Sequence, residues 1–220
     1  MVFLDVGGAL RPARELEGQT MTMRKTLAHL APAIFRPLGP LPDWEVQRLC
    51  GGDRPMIYPY SYRSKGHGTS HGVSYFGYDI RLGRTWKVPS RVPGAPPVDL
   101  GCSDTLPRYD VFDSTTYTLN PLDFVLAETL ERFTMPDDVF ATCVGKSTLA
   151  RLGVSVIVTP LEPGWSGVLT LELCLLGDRS VTLHEGQGIA QLLFHRGSRP
   201  DVTYVGKYQH QLGVKEAIAS

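Results

Sequence analysis

The chain has 220 residues, of which 42% are hydrophobic, so it can bury a sizeable core in one domain or at most two small ones. Its 22 Lys and Arg residues balance 22 Asp and Glu residues, which argues against the overall basic field that draws proteins to nucleic acids or anionic membranes. A polyanionic ligand would therefore need a local cluster of cations.

Residues 1–40 are predicted to be an irregular N-terminal extension. Any helix that begins over 23–30 meets three prolines that would break it, namely Pro32, Pro37 and Pro40. From Leu41 the pattern becomes regular, and we expect one β domain over 41–220. It opens with a short capped helix, in which Pro42 and Asp43 precede the apolar positions Trp44, Val46 and Leu49.

The rest of the chain is predicted to be mostly strand and turn. Seven short segments rich in Val, Ile, Thr, Leu and Phe are predicted strands: Ser74–Arg81, Tyr117–Glu128, Val139–Val144, Val154–Thr159, Val168–Leu175, Ser180–Leu183 and Gly188–Phe194. A short helix is expected at Lys146–Leu152, and a long proline-rich surface loop at Val88–Asp104. This pattern predicts an all-β fold with a few short helices, either a sandwich or a partly closed barrel.

The four cysteines, Cys50, Cys102, Cys143 and Cys174, form no C-x-x-C pair, and a chain of this size does not need disulfides, so we expect reduced thiols. No run of about 20 apolar residues is present. Asp5 interrupts the start where a signal peptide would need basic and then apolar residues. We therefore expect a soluble cytoplasmic protein.

Residues 145–148, Gly-Lys-Ser-Thr, resemble the end of a P-loop. That motif needs a glycine five residues before Gly145, and Phe140 stands there, so a kinase or ATPase is disfavoured. The segment still combines backbone N–H groups at a helix start with two hydroxyls, an ammonium and the guanidinium of Arg151. This combination suits phosphate, although a capped helix with solvated cations explains it about equally well.

Glu172 lies on a predicted strand whose two-residue period places Leu169, Leu171 and Leu173 on one face. Glu172 therefore faces the other side, together with Val168 and Thr170. A lone glutamate in such a position is most often exposed to solvent. If it faces a pocket instead, partial burial would raise its pKa toward the value that a general base needs.

At this point several motifs together resemble the dCTP deaminase family. They are Ser74–Arg81, Gly145-Lys-Ser-Thr-Leu-Ala-Arg-Leu-Gly153, Val158-Thr-Pro-Leu-Glu-Pro-Gly-Trp-Ser-Gly167, Leu169-Thr-Leu-Glu172, Gly188–Phe194 and Gly206-Lys-Tyr-Gln-His-Gln-Leu-Gly213. They follow the family's order, so the resemblance covers residues 41–214. The block around Lys146 and Arg151 is the most specific.

The resemblance implies a distorted jelly-roll or β-barrel of the trimeric dUTPase type and a homotrimer with active sites between subunits. It implies dCTP as the substrate, with dUTP a further candidate substrate and dTTP a candidate feedback ligand. Mg²⁺ would be held by the triphosphate, with no direct protein ligands. Nucleic acids and membranes are not expected partners.

The resemblance also assigns roles to individual residues. Glu172 matches the glutamate that takes a proton from water and passes it to ammonia as the water attacks C4 of cytosine. Ser147 and Arg151 match residues that position this water and stabilise charge. The residues that match nucleotide or phosphate contacts are Lys146, Ser147, Thr148, Tyr204, Lys207 and Gln211, and the last three lie on a C-terminal segment that closes over the nucleotide. Gln191 is a further candidate phosphate contact, with a structural role as the alternative.

The turn on the base side of the site, with Thr159, Pro160, Glu162 and Trp165, is shorter than in some members of the family. Glu162 also stands where the related dUTPases place an aspartate that activates water for phosphate cleavage. A dUTP diphosphatase or a bifunctional enzyme that yields dUMP is therefore a second hypothesis. A non-catalytic nucleotide-binding trimer is a third.

A zinc-dependent deaminase is disfavoured by the sequence. That class carries an H-x-E motif and a P-C-x-x-C motif, whereas His184 and Glu185 are adjacent here and no cysteine pair exists. The expected chemistry therefore uses a carboxylate and no zinc.

Overall fold

The computed structural model describes residues 38–219, together with the backbone of two strands, β1 (Val2–Leu4) and β2 (Leu10–Pro12). The chain divides into two units, residues 1–37 and residues 38–220. Within the first unit β1 pairs antiparallel with β2, in a segment that was predicted to be irregular. The expectation of a broken helix over 23–30 lies outside the described residues.

The second unit is built mainly from strands, with two short helices and one 3₁₀ turn at Ser103–Thr105. Its first elements are β3 (Gly39–Pro40), α1 (Asp43–Leu49), β4 (Ile57–Tyr58), β5 (Ser64–Gly66), β6 (Thr69–Val73) and β7 (Tyr78–Pro89). The next are β8 (Tyr109–Asp113), β9 (Thr116–Leu119), β10 (Phe124–Thr134), β11 (Val139–Gly145) and α2 (Ser147–Ala150). The last are β12 (Val154–Ile157), β13 (Ser166–Leu175), β14 (Val181–His184) and β15 (Gly188–Arg196).

The long strand β7 connects two parts of a curled sheet. Its first half pairs with β15, and its second half pairs with β10 and β8. The main path of the sheet runs β11-β15-β7-β10-β13-β12. Large apolar side chains fill the inside of this curl, among them Trp86, Tyr78, Phe133 and Phe194. The predicted all-β class with short helices is confirmed.

The predicted strand Ser74–Arg81 is wrong in its first half. The chain turns over residues 74–77, where the N–H of Ser74 donates to the carbonyl oxygen of Gly77 at 3.0 Å. Gly77 has a φ of +93°, and a Cβ at this position would lie 2.0 Å from the carbonyl oxygen of Leu192. Only glycine fits such a close approach of two backbones, so β7 begins at Tyr78.

The predicted strand Tyr117–Glu128 is wrong as a single element. It is divided into β9 and β10 by a turn at residues 120–123, and the two strands lie in different sheets. The carboxylate of Asp123 accepts a hydrogen bond from the N–H of Asn120 at 2.7 Å, and Leu122 has a φ of 67°. The Asn-Pro pair at 120–121 was a turn signal that the apolar pattern obscured.

The other five predicted strands are found with shifts of at most two residues at their ends, and both predicted helices are present. The loop predicted at Val88–Asp104 is correct except that Val88 and Pro89 continue β7 and that residues 103–104 enter the 3₁₀ turn. The strands β3, β4, β5, β6 and β8 were missed because they are short or polar. Neither helix within residues 38–219 has the length and hydrophobicity of a membrane span.

Candidate active site

One cavity of about 330 Å³ lies beside the middle of β13. Four parts of the chain enclose it: β10 with β13, the start of β8, the turn at residues 158–165, and the C-terminal segment, which we define as residues 203–219. Its lining residues are Tyr109, Phe124, Leu126, Val158, Thr159, Pro160, Leu161, Glu162, Trp165, Leu169, Thr170, Glu172, Tyr204, Tyr208, Gln211, Lys215, Glu216 and Ala217.

Glu172 points toward this cavity because of the alternation along β13. Leu169, Leu171 and Leu173 are buried on the core face, while Glu172 is half-buried on the opposite face, as predicted. Across the sheet, Glu172 is paired with Leu126 of β10 and Ile157 of β12. Its carboxylate is thus flanked by apolar neighbours.

Burial raises the pKa of Glu172 from its ordinary value of 4.5 to about 7. A hydrogen bond from its own backbone opposes the shift but is the smaller effect. Among residues 38–219 no Lys, Arg or His forms an ion pair with this carboxylate. A carboxyl group with a pKa near neutrality can both accept and return a proton.

The turn before β13 is fixed to the rest of the fold at both ends. Leu161 exchanges two backbone hydrogen bonds with Ala141 of β11, at 2.9 and 3.0 Å. The indole N–H of Trp165 donates to the carbonyl oxygen of Tyr208 at 2.9 Å. The four residues of the base-side turn that the sequence singled out, Thr159, Pro160, Glu162 and Trp165, all line the cavity.

The C-terminal segment runs beside the start of β13 and forms one wall of the cavity. The N–H of Val168 donates to the carbonyl oxygen of Gln211 at 3.0 Å. The side-chain amide of Gln211 donates to the carbonyl oxygen of Val168 and, at 3.2 Å, to the hydroxyl of Thr170. Further along, Glu216 forms an ion pair with Lys87 of β7 at 2.8 Å. Tyr204 and Gln211 therefore reach the cavity.

The remaining predicted phosphate contacts do not line this cavity within one chain. Ser147, Thr148 and Arg151 are exposed on and after α2. The ammonium of Lys146 pairs with the carboxylate of Asp79 at 2.7 Å and donates to the hydroxyl of Ser70 at 3.0 Å.

Two further predicted contacts also lie elsewhere. The side-chain amide of Gln191 donates to the carbonyl oxygen of Phe76 at 3.3 Å. Lys207 is exposed, and its ammonium donates to the carbonyl oxygen of Ile218. Within one chain the structure thus brings Glu172 together with the base-side turn, Tyr204 and Gln211, but not with Ser147 or Arg151.

Sequence reasoning missed several lining residues, namely Tyr109, Phe124, Leu126, Tyr208, Lys215 and Glu216. Leu126 could have been found from strand pairing, because it stands directly opposite Glu172. Tyr109 lies on β8, a strand that the sequence pattern did not reveal. Lys215 and Glu216 lie beyond the last recognisable motif and carried no signal of their own.

Comparison with known proteins identifies relatives over most of the chain. Residues 41–197 match the model of a family described as dCTP deaminase-like. The dCTP deaminase of Campylobacter curvus is 41% identical over 172 residues, which cover 76% of this chain and 91% of the relative. That of Campylobacter concisus is 41% identical over 167 residues, which cover 74% and 89%.

A solved structure supports the fold. The 2′-deoxycytidine 5′-triphosphate deaminase of Agrobacterium tumefaciens superimposes with a TM-score of 0.55 at 22% identity, over 74% of this chain and 49% of that one. The likeness agrees with the predicted distorted jelly-roll type of fold. The family match over residues 41–197 and the identity to curated relatives show that this chain belongs to the dCTP deaminase-like family.

Proposed function

We propose that this protein deaminates dCTP to dUTP and ammonia with a water molecule that Glu172 activates. The observation that carries the proposal is the half-buried carboxylate of Glu172, with a pKa of about 7, inside a cavity of nucleoside size. The relatives named dCTP deaminase, at 41% identity, support the same reaction.

In the proposed mechanism Glu172 takes a proton from water as the oxygen attacks C4 of the cytosine ring. Glu172 passes this proton to the amino nitrogen, which leaves as ammonia as the C4–N bond breaks, and the second proton of the water moves from the C4 hydroxyl to N3, so that the C4 carbonyl of uracil forms. A general base with a pKa near the working pH suits both transfers, because it gives the proton back readily. Burial of the side chain, opposite the apolar Leu126 of β10, supplies the desolvation that raises this pKa.

The charges around the cavity indicate which end of the nucleotide it holds. Three carboxylates line it, those of Glu162, Glu172 and Glu216, against one lining ammonium, that of Lys215. The charge of Glu216 is balanced by Lys87 and Glu172 is about half ionised at pH 7, so the lining is close to neutral and offers a triphosphate no cluster of cations. We therefore assign the cavity to the uncharged base and sugar, with the phosphates directed outward toward cations such as Lys207.

We propose that a homotrimer completes the site. Ser147, Thr148 and Arg151 are exposed and lie outside the cavity of their own chain, which is the placement expected if they face the cavity of a neighbouring subunit. The ammonium of Lys146 is engaged by Asp79, so its contribution to phosphate binding would require that pair to rearrange.

Shared sites can be tested by mixing two inactive variants. Glu172→Gln and Arg151→Ala should each be inactive alone, yet co-refolded or co-expressed mixtures should regain activity, because some sites receive both wild-type side chains. Random assembly at equal amounts would restore about a quarter of the sites. No recovery from mixed trimers, verified as mixed by mass spectrometry, would contradict the shared site.

Mg²⁺ is proposed to arrive with the triphosphate. Over residues 38–219 no three His, Cys, Asp or Glu side chains come together as a metal-binding group, so the ion would depend on phosphate oxygens and water, its usual ligands in nucleotide sites. Its contribution would be to neutralise phosphate charge. The residues of this chain would supply the chemistry at the base.

A second activity is kept as a candidate because Glu162 lines the same cavity as Glu172. If the carboxylate of Glu162 activated a second water, dUTP would be cleaved to dUMP and pyrophosphate. The test for both functions is chromatography of the products from dCTP and from dUTP supplied separately with Mg²⁺. Ammonia and dUTP from dCTP support deamination, and pyrophosphate from dUTP supports the bifunctional alternative. The absence of ammonia would refute the main proposal.

A further inference from the structure

Tyr109 lies outside every motif that carries the family resemblance, yet it lines the same cavity as Glu172. It is the first residue of β8, where it is paired with Pro89 at the end of β7. Tyr109 and Glu216 also line a neighbouring hollow formed with residues 103–108. Their side chains therefore form the partition between the cavity and this hollow.

The side chain of Tyr109 combines a half-buried ring with a free hydroxyl. Among the described residues the hydroxyl makes no hydrogen bond, whereas the phenol of Tyr78 donates to and accepts from buried groups. The hydroxyl of Tyr109 is accessible rather than buried, because the buried side-chain oxygens and nitrogens without a partner among the described residues belong to Tyr60 and His71. The hydroxyl of Tyr109 is thus available to a molecule in the cavity.

The surroundings of Tyr109 keep its hydroxyl protonated, so that it can donate a hydrogen bond. Burial, followed by the negative charges of Glu216 and Glu172, raises the pKa of Tyr109, so the phenol stays protonated at neutral pH. The neutral hydroxyl can donate a hydrogen bond to an uncharged acceptor. The neighbouring carboxylates, when ionised, can only accept hydrogen bonds. A nucleoside offers such acceptors on its base carbonyl and its sugar oxygens.

We propose that Tyr109 is a substrate-contacting residue that recognises the uncharged nucleoside end of the nucleotide, with its ring packed against the ligand and its hydroxyl donating a hydrogen bond to it. This inference rests on the proposed function. It adds a recognition residue from a strand that the family motifs do not include. In this proposal Tyr109 contributes to substrate binding, whereas Glu172 performs the proton transfers.

The test compares Tyr109→Phe and Tyr109→Ala with the wild type and with Tyr58→Phe, a control whose ring is exposed outside the cavity. Affinity for dCTP with Mg²⁺ is measured by calorimetry with each change placed in a Glu172→Gln background, where turnover does not consume the ligand. KM, kcat, the pH profile of kcat and thermal stability are measured in parallel on the chains that keep Glu172. Tyr109→Phe should weaken dCTP binding and raise KM about 2- to 10-fold and leave kcat, its pH profile and stability near wild type. Tyr109→Ala should weaken binding further.

Equal affinity in Tyr109→Phe and the wild type would overturn the proposal. A shifted pH profile of kcat with unchanged affinity would also overturn it, because Tyr109 would then act through Glu172. If the wild type neither binds nor deaminates dCTP, the proposed function itself fails. Wild-type turnover with an unaffected Tyr109→Phe variant refutes only the role of Tyr109.

Discussion

The pH dependence of the reaction follows from the raised pKa of Glu172. The carboxylate must be ionised to take a proton from water, and with a pKa of about 7 it is half ionised near pH 7. At pH 6 only about a tenth of it is in the active form. We therefore expect kcat/KM, which reports ionisation in the free enzyme, to rise roughly tenfold between pH 6 and pH 8 and then to level off.

The raised pKa of Glu172 also predicts that the folded state loses stability as the pH rises, over the same range in which activity increases. The fold disfavours the charged form of Glu172, so the penalty is absent below pH 4.5, develops as the pH rises toward 7, and is complete above 7. A shift from 4.5 to about 7 corresponds to about 3–4 kcal/mol before solvent screening. Because the side chain is partly exposed to solvent, screening reduces this to about 1–2 kcal/mol.

Glu172→Gln tests both expectations in one variant. It should lower kcat by about 100- to 10,000-fold and, at pH 8, raise the melting temperature by about 2–8 °C, with the gain vanishing near pH 4.5. Steady-state ammonia release and calorimetric unfolding from pH 4.5 to 8.5 measure the two effects, with Glu185→Gln, in the turn after β14, as the matched control. A wild-type kcat/KM that does not change between pH 6 and 8, or an active Glu172→Gln variant, would refute the reasoning.

Three further predictions concern the fold around the site. Glu131→Gln should lower the free energy of unfolding, measured in urea, by about 3–5 kcal/mol, because the fully buried carboxylate of Glu131 pairs with Arg81 at 2.6 Å. The control Asp113→Asn removes an exposed pair with Arg84 and should change this free energy little. Gly77→Ala should cost at least about 2 kcal/mol, since its Cβ would meet the carbonyl oxygen of Leu192, whereas Gly197→Ala meets nothing within 4 Å. Lys87→Met should release the end of the C-terminal segment, and faster hydrogen exchange over residues 213–219 than in the wild type would show it. Equal unfolding free energies in the first two comparisons, or unchanged exchange in the third, would contradict them.

The strands that bury one face could be predicted from the sequence. β13 is the clearest example, because its alternation of leucines with smaller or polar residues is enough to place Glu172 on the correct side of the strand. The regular period of two is a local property of the backbone. It needs no information about which strand lies next to which.

The features that depend on long-range contacts could not be predicted in this way. The turn at Gly77 exists because the chain must pass the backbone of Leu192, which is distant in the sequence. Likewise, Tyr109 enters the cavity because β8 adds to the edge of β7. Neither position has a local pattern that reports its distant partner.

For a related reason, only part of the candidate site could be predicted from the sequence. The family motifs supplied Glu172, the base-side turn, Tyr204 and Gln211, which one chain brings to a common cavity. Ser147 and Arg151 belong to the same motifs but lie apart from that cavity within one chain. Sequence order alone cannot distinguish residues that meet within a subunit from residues that meet between subunits.

The central claim is that Glu172 activates a water molecule that attacks C4 of dCTP. The most direct test is to run the reaction in water enriched in oxygen-18 and to analyse the nucleotide product by mass spectrometry while ammonia is measured. The wild type should release ammonia and give dUTP with one labelled oxygen at C4, and Glu172→Gln should bind dCTP without forming labelled dUTP. An unlabelled product, or labelled dUTP from Glu172→Gln at the wild-type rate, would contradict the claim.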